Sequence, residues 1–141
     1  MNSVTISDAF ASVQEKLKAA AATAGRKEQD VTLIAVSKQQ QDDRIDASLA
    51  TGHRIFGENR VQEAKTRWVE RKCLYPDLCL HLIGPLQSNK TAEAVNLFDV
   101  IHTVDRQKIA TAIAAEADKQ QKQIECFIQV NTGNEPQKSG I

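Results

Sequence analysis

The chain has 141 residues and carries 18 Lys plus Arg against 18 Asp plus Glu, so it has no net charge at neutral pH. That is one domain's worth of polypeptide, long enough to bury a core, and the charge balance excludes a strong field drawing it to nucleic acid or an anionic membrane. The amino terminus has no basic-then-apolar signal pattern, no apolar run approaches spanning length, and Cys73, Cys79 and Cys126 match no metal or redox spacing. A soluble, cytoplasmic, monomeric protein in a reducing compartment is expected.

Phe10, Val13, Leu17 and Ala20/Ala21 recur at helical spacing and predict a helix over 7–24, with Ser7 as N-cap and Gly25 at its C-terminal end. Val-Thr-Leu-Ile-Ala-Val-Ser over 31–37 reads as a short strand buried on both faces, ending at Lys38. A short amphipathic stretch (Ile45, Leu49) follows, and then a second strand, 54–57, closed by Glu58-Asn59. A helix with Val61, Ala64/Lys65 and Trp68 on its buried side is broken by Pro76 and Asp77. Residues 80–84 form a third strand, Ala92, Val95 and Phe98 a short helix, and 100–104 a fourth strand. Asp105 can cap a helix that buries Ile109, Ala112/Ile113 and Ala117, and 125–130 is a fifth strand leading into a loop.

Five strands separated by helical patterns are the sequence form of repeated βα units, and the units run about 20–26 residues, a fitting size for a barrel repeat. A doubly wound open sheet is the competing architecture, but no G-x-G-x-x-G follows any strand. In parallel α/β folds function gathers at the C-terminal ends of strands. Here those ends read Ser37-Lys38, Glu58-Asn59, Gln87-Ser88-Asn89, Thr103-Asp105 and Asn131-Thr132. Each strand is apolar in its middle and polar at its exit, although helix N-caps want the same residue types there. Lys38 is the only lysine lying directly at an exit. Desolvation at such a position would favour the neutral amine and make it nucleophilic.

Val36-Ser37-Lys38, Phe56-Gly57-Glu58-Asn59-Arg60-Val61-Gln62-Glu63, His81 through Lys90, Ile101 through Asp105, and Gln129-Val130-Asn131 through Ile141 occur in a specific order and spacing. In these motifs the chain resembles the pyridoxal phosphate homeostasis proteins, single-domain barrels related to the N-terminal domain of alanine racemase. The resemblance spans residues 31–141. It implies an α/β fold, a partial TIM (β/α)8-type barrel of about five of eight βα units behind an N-terminal helix, and one C-terminally incomplete domain over 1–141. It also implies a non-enzymatic protein that binds pyridoxal 5′-phosphate (PLP) and serves vitamin B6 homeostasis, with Lys38 as the Schiff-base lysine.

By the same resemblance, Asn59 of the Gly-Glu-Asn motif is a cofactor contact, with helix N-cap as its other role, and Lys138 is a second basic residue near the cofactor. His81 and His102, inside apolar strands, are expected to be hydrogen-bonded core histidines, and Trp68 to be core. Relatives continue through three further strands, with a Ser-Met-Gly-Met-Ser-like loop and a late Arg-x-Gly segment that bind the phosphate; neither occurs in residues 1–141. The alternatives are a PLP-dependent racemase or decarboxylase, for which Tyr75 is the only tyrosine available, and a fragment that binds no PLP.

Overall fold

The computed structural model describes residues 4–141, which divide into two compact units. The first comprises residues up to Ile34 together with Gln39–Arg54, and the second Ala35–Lys38 with Ile55–Ile141.

In the first unit, helix α1 runs Ile6–Thr23. Its N-cap is Thr5 and not the expected Ser7, because Thr5 and Asp8 satisfy each other: Asp8 N donates to Thr5 Oγ1 and Thr5 N to Asp8 Oδ2, both at 3.1 Å. At the other end Gly25 takes φ +67°, and its N–H and that of Arg26 donate to Ala22 O and Ala21 O. This left-handed closure suits a residue without Cβ. Of the expected apolar stripe only Ala21 is buried, while Phe10 and Leu17 are half-buried and Val13 is exposed. The Phe10 ring lies 5.0 Å from that of His53. Helix α2, Asp42–Ala50, buries Ile45 and Leu49 as expected.

The second unit is a five-stranded sheet: β1 Ala35–Val36, β2 Ile55–Glu58, β3 Cys79–Leu82, β4 Val100–Val104 and β5 Glu125–Ile128. All neighbours pair in parallel, in the order β1-β2-β3-β4-β5. Helices α3 Val61–Leu74, α4 Thr91–Leu97 and α5 Gln107–Gln120 supply the crossovers within the unit. Strand order never reverses, which a doubly wound sheet would require. The fold is therefore α/β, a partial (β/α)8-type barrel of five parallel strands, the first four each followed in the chain by a helix, preceded by an N-terminal helix.

Side chains alternate across this sheet. Register places Phe56 with Leu80 and Leu82 with Ile101, and these are buried on the helix side, where the Phe56 ring sits 4.8 Å from that of Trp68. Trp68 is core, as expected. The opposite face carries Cys79, His81 and His102. His81 Nδ1 is 2.8 Å from His102 Nε2, Cys79 Sγ is 3.3 Å from His81 Nε2, and Phe127 stacks on His102 at 4.9 Å. The two histidines are hydrogen-bonded to each other as expected, but only His81 is buried, while His102 is half-buried under Phe127.

The strand expected over 31–37 is only Ala35–Val36, because its one ladder, to β2, covers just those residues. It is not buried on both faces. Both outer strands pair on a single side, which leaves Val36 48%, Phe127 47% and Ile128 66% exposed. A groove of about 740 Å³ flanked by α5 and β5, with Ile113, Ala117 and Cys126 in its wall, opens along the same edge. Asp105 does not cap α5. Arg106 is the N-cap residue, and its Nη1 donates to Asp105 Oδ1 at 2.6 Å.

Gln121 ends α5 at φ +49°, with its N–H on Asp118 O and that of Lys122 on Ala117 O. A side chain in this left-handed cap costs about 1 kcal/mol that glycine avoids. Gln121→Gly is thus expected to raise the urea midpoint by a stability gain of about 1 kcal/mol, and an unchanged or lower midpoint would contradict the cap assignment.

Burial, and then the neighbouring His102, holds the His81 pKa below its ordinary value; burial does the same for His102 against a weaker opposing pull from Glu125. With folded values depressed, protons bind the unfolded chain first as pH drops below about 6.5, so stability falls there. Urea midpoints should decline between pH 7.5 and 5.5, by at most about 1.4 kcal/mol per pH unit for each proton taken up. Replacing both histidines by glutamine should flatten that slope.

Candidate functional site

A parallel sheet puts all its C-terminal strand ends on one side, so Lys38, Asn59, Gln87 and Asn131 follow exits that share one edge of the ladder. The β1–β2 register ends at Val36↔Gly57, and Lys38 and Asn59 each stand two residues beyond that pair. Lys138 lies in the loop after β5. Neighbouring strands are about 4.8 Å apart, and three strands separate β1 from β5. The sheet thus places Lys38 and Asn59 at neighbouring exits and leaves Lys138 at the far edge strand.

Lys38 is exposed, on a turn that continues through Gln39 at φ +59°. The desolvation expected at a buried strand end does not occur, because β1 has no strand beyond it among the described residues. Its amine makes no hydrogen bond or ion pair among the described residues. Asn59 is half-buried and does not cap α3, whose N-cap position is Arg60. The Asn59 carboxamide likewise makes no hydrogen bond there. Its backbone is fixed by Gly84, since a Cβ on Gly84 would lie 2.7 Å from Asn59 Cα. Only glycine permits this approach of the β3 exit to the β2 exit. Asn59, Arg60, Gln62, Pro85, Gln87 and Lys90 line a cleft of about 420 Å³ there.

The Lys138 side chain is exposed and unpaired among the described residues, and its N–H donates to Glu135 O at 3.0 Å. The loop is closed locally. Asn131 Nδ2 donates to Glu135 O, Glu135 N to Asn131 Oδ1, and Ile141 N to Gln129 O. Asn131 therefore spends its side chain within the loop and does not offer it to the exit face.

Sequence reasoning missed the cluster under the β1 and β2 exits. Glu58 is 0% exposed, and its Oε1 accepts from Ser37 Oγ (2.7 Å), Arg67 Nη1 (2.9 Å) and Trp68 Nε1 (2.9 Å). Arg67 Nη1 also donates to Ser37 O at 3.0 Å. The signal was available: a period of two puts Glu58 on the same face as Phe56, so its carboxylate needs donors, and α3 supplies Arg67 and Trp68 one helix later.

No helix among the described residues is long and apolar enough to cross a membrane. Pyridoxal phosphate homeostasis proteins from Vibrio cholerae and Escherichia coli K12 are each 40% identical to the chain, over 92% and 94% of it and 56% and 57% of their own lengths. The chain thus spans little more than half the length of these relatives. The solved structure of PipY from Synechococcus elongatus with PLP bound is 37% identical, with TM-score 0.74, over 89% of this chain and 57% of that one. The crystal structure of an unknown protein from Bifidobacterium adolescentis superposes with TM-score 0.85 at 31% identity, over 96% of this chain and 58% of that one. The model of the alanine racemase N-terminal domain matches residues 10–141. The chain belongs to the alanine racemase N-terminal domain family.

Proposed function

We propose that this chain is the N-terminal part of a PLP-binding protein of vitamin B6 homeostasis, with residues 1–141 forming one C-terminally incomplete barrel domain and Lys38 as the point of covalent attachment. The observation that carries the reading is the unpaired amine of Lys38 at the β1 exit, next to the β2 exit that carries the unengaged carboxamide of Asn59, on the edge of the sheet where such folds hold ligands. The similarity to PLP-bound PipY supports it.

The donor set fits one end of the cofactor. When bound, PLP supplies an aldehyde carbon to which a neutral primary amine adds with loss of one water. Lys38 would hold that end, with Asn59 offering a hydrogen bond beside it. Lys138 is a second amine on the same side of the sheet, at the β5 edge. For the phosphate the chain has neither a Ser-Met-Gly-Met-Ser-like loop nor an Arg-x-Gly segment, so those contacts come from the further length that relatives possess.

The protein acts without turnover, as a cytoplasmic carrier that needs no nucleic acid or membrane. Proton transfer at a substrate α-carbon needs a placed acid or base. Tyr75, the only tyrosine, ends α3 on the loop that enters β3, and Leu78 N donates to Tyr75 O there. That is the end of the strands opposite Lys38.

Incubating the chain with PLP, reducing with borohydride and mapping peptides should place the pyridoxyl group mainly on Lys38, with Lys38→Ala removing most of it. Label concentrated on Lys138, or scattered over surface lysines at wild-type level in Lys38→Ala, would contradict the assignment.

A further inference from the structure

Lys38 follows a strand of two residues that pairs on one side only, and such an end should fray. Its own amine anchors to nothing among the described residues. Ser37, immediately before it, is nevertheless fixed at three atoms. Ser37 N donates to Gly57 O at 3.0 Å, Ser37 Oγ to Glu58 Oε1 at 2.7 Å, and Ser37 O accepts from Arg67 Nη1 at 3.0 Å. The same Arg67 nitrogen donates to Glu58 Oε1 at 2.9 Å and closes the ring, while Trp68 Nε1 donates to that oxygen at 2.9 Å.

All three donors converge on one carboxylate oxygen. Oε2, equally buried, has no hydrogen-bond partner among the described residues. A carboxylate taken out of water is costly even when paired, and an apolar side chain would fill a site beside Phe56 and Leu82 without that penalty. An apolar residue could not hold Ser37. From this geometry we infer that Glu58 is the positioning residue for Lys38, acting through Ser37 and Arg67 to fix the end of β1 so that the lysine leaves the sheet in one direction. The inference rests on Lys38 being the attachment point.

The test labels the 141-residue chain with PLP and borohydride and reads the ratio of Lys38 to Lys138 label. Ser37→Ala removes one donor and little volume, and should lower that ratio about tenfold, the weight of one hydrogen bond to a charged group. Ser37→Thr, which keeps the hydroxyl, should restore it. Glu58→Gln should act like Ser37→Ala, which carries the test alone should the glutamine variant not fold. Lys72→Met breaks the separate Lys72–Asp99 pair and controls for lost stability, so it should leave the ratio unchanged.

Hydrogen exchange at the Ser37 and Lys38 amides should quicken in Ser37→Ala while β3 and β4 keep their protection. A wild-type preference for Lys38 that persists in Ser37→Ala and Glu58→Gln overturns the inference alone. A wild-type chain without that preference overturns the reading of Lys38 and the inference with it.

Discussion

A carboxylate with no access to water sits where β2 ends, and the exit face depends on how it is satisfied. Glu58 reaches across to β1 through Ser37 and up to α3 through Arg67 and Trp68, so one oxygen ties two strands and a helix together. Charge-assisted bonds of this kind are stronger than neutral ones, and removing Glu58 would leave the buried Trp68 Nε1 without that acceptor. Strand β1 makes only a two-residue ladder, and the cluster adds bonds at Ser37 Oγ and Ser37 O just past its end.

The rest of the face follows from the parallel ladder. Each strand pairs with the next in sequence, so each chain segment leaves the sheet on the same side. The exits are then bound to one another: Ile83 N donates to Glu58 O, Thr103 Oγ1 to Gly84 O, and Arg106 Nη2 to Leu86 O. Gly84 allows the β2 and β3 exits to touch backbone to backbone. The same topology leaves two unpaired edges, and the exposed apolar side chains of β1 and β5 are their direct consequence.

Local features were legible in the sequence. The run at 100–104 is β4 to the residue, and the helix faces through Val61, Ala64 and Trp68 and through Ile109 and Ile113 are buried where the spacing put them, although Lys65 points to solvent. Features set by partners were not legible. Val31 to Val36 has the composition of a doubly buried strand, but composition cannot say that only one neighbour pairs with it. The exposure of Lys38 follows from the same fact. The cap at Thr5 turns on its reciprocal bonds with Asp8, and Asn59 makes no such bond; several nearby residues could have capped either helix. The Glu58 cluster needed the alternation of β2 and the spacing of α3 read together.

The division of labour at the site has a consequence that binding can read. In the proposed reading Lys38 and Asn59 would take the aldehyde end of the cofactor, and residues 1–141 contain neither a Ser-Met-Gly-Met-Ser-like loop nor an Arg-x-Gly segment for its phosphate. A phosphate held by several charge-assisted hydrogen bonds would favour PLP over an analogue lacking it by roughly 3 kcal/mol, or about a hundredfold. The most direct measurement is an absorbance titration of the 141-residue chain with PLP and with 5′-deoxypyridoxal, which has the aldehyde and no phosphate. Affinities within about threefold of each other, the range of weak surface attraction, are expected; a preference for PLP near a hundredfold would contradict the assignment of the phosphate contacts to residues outside this chain.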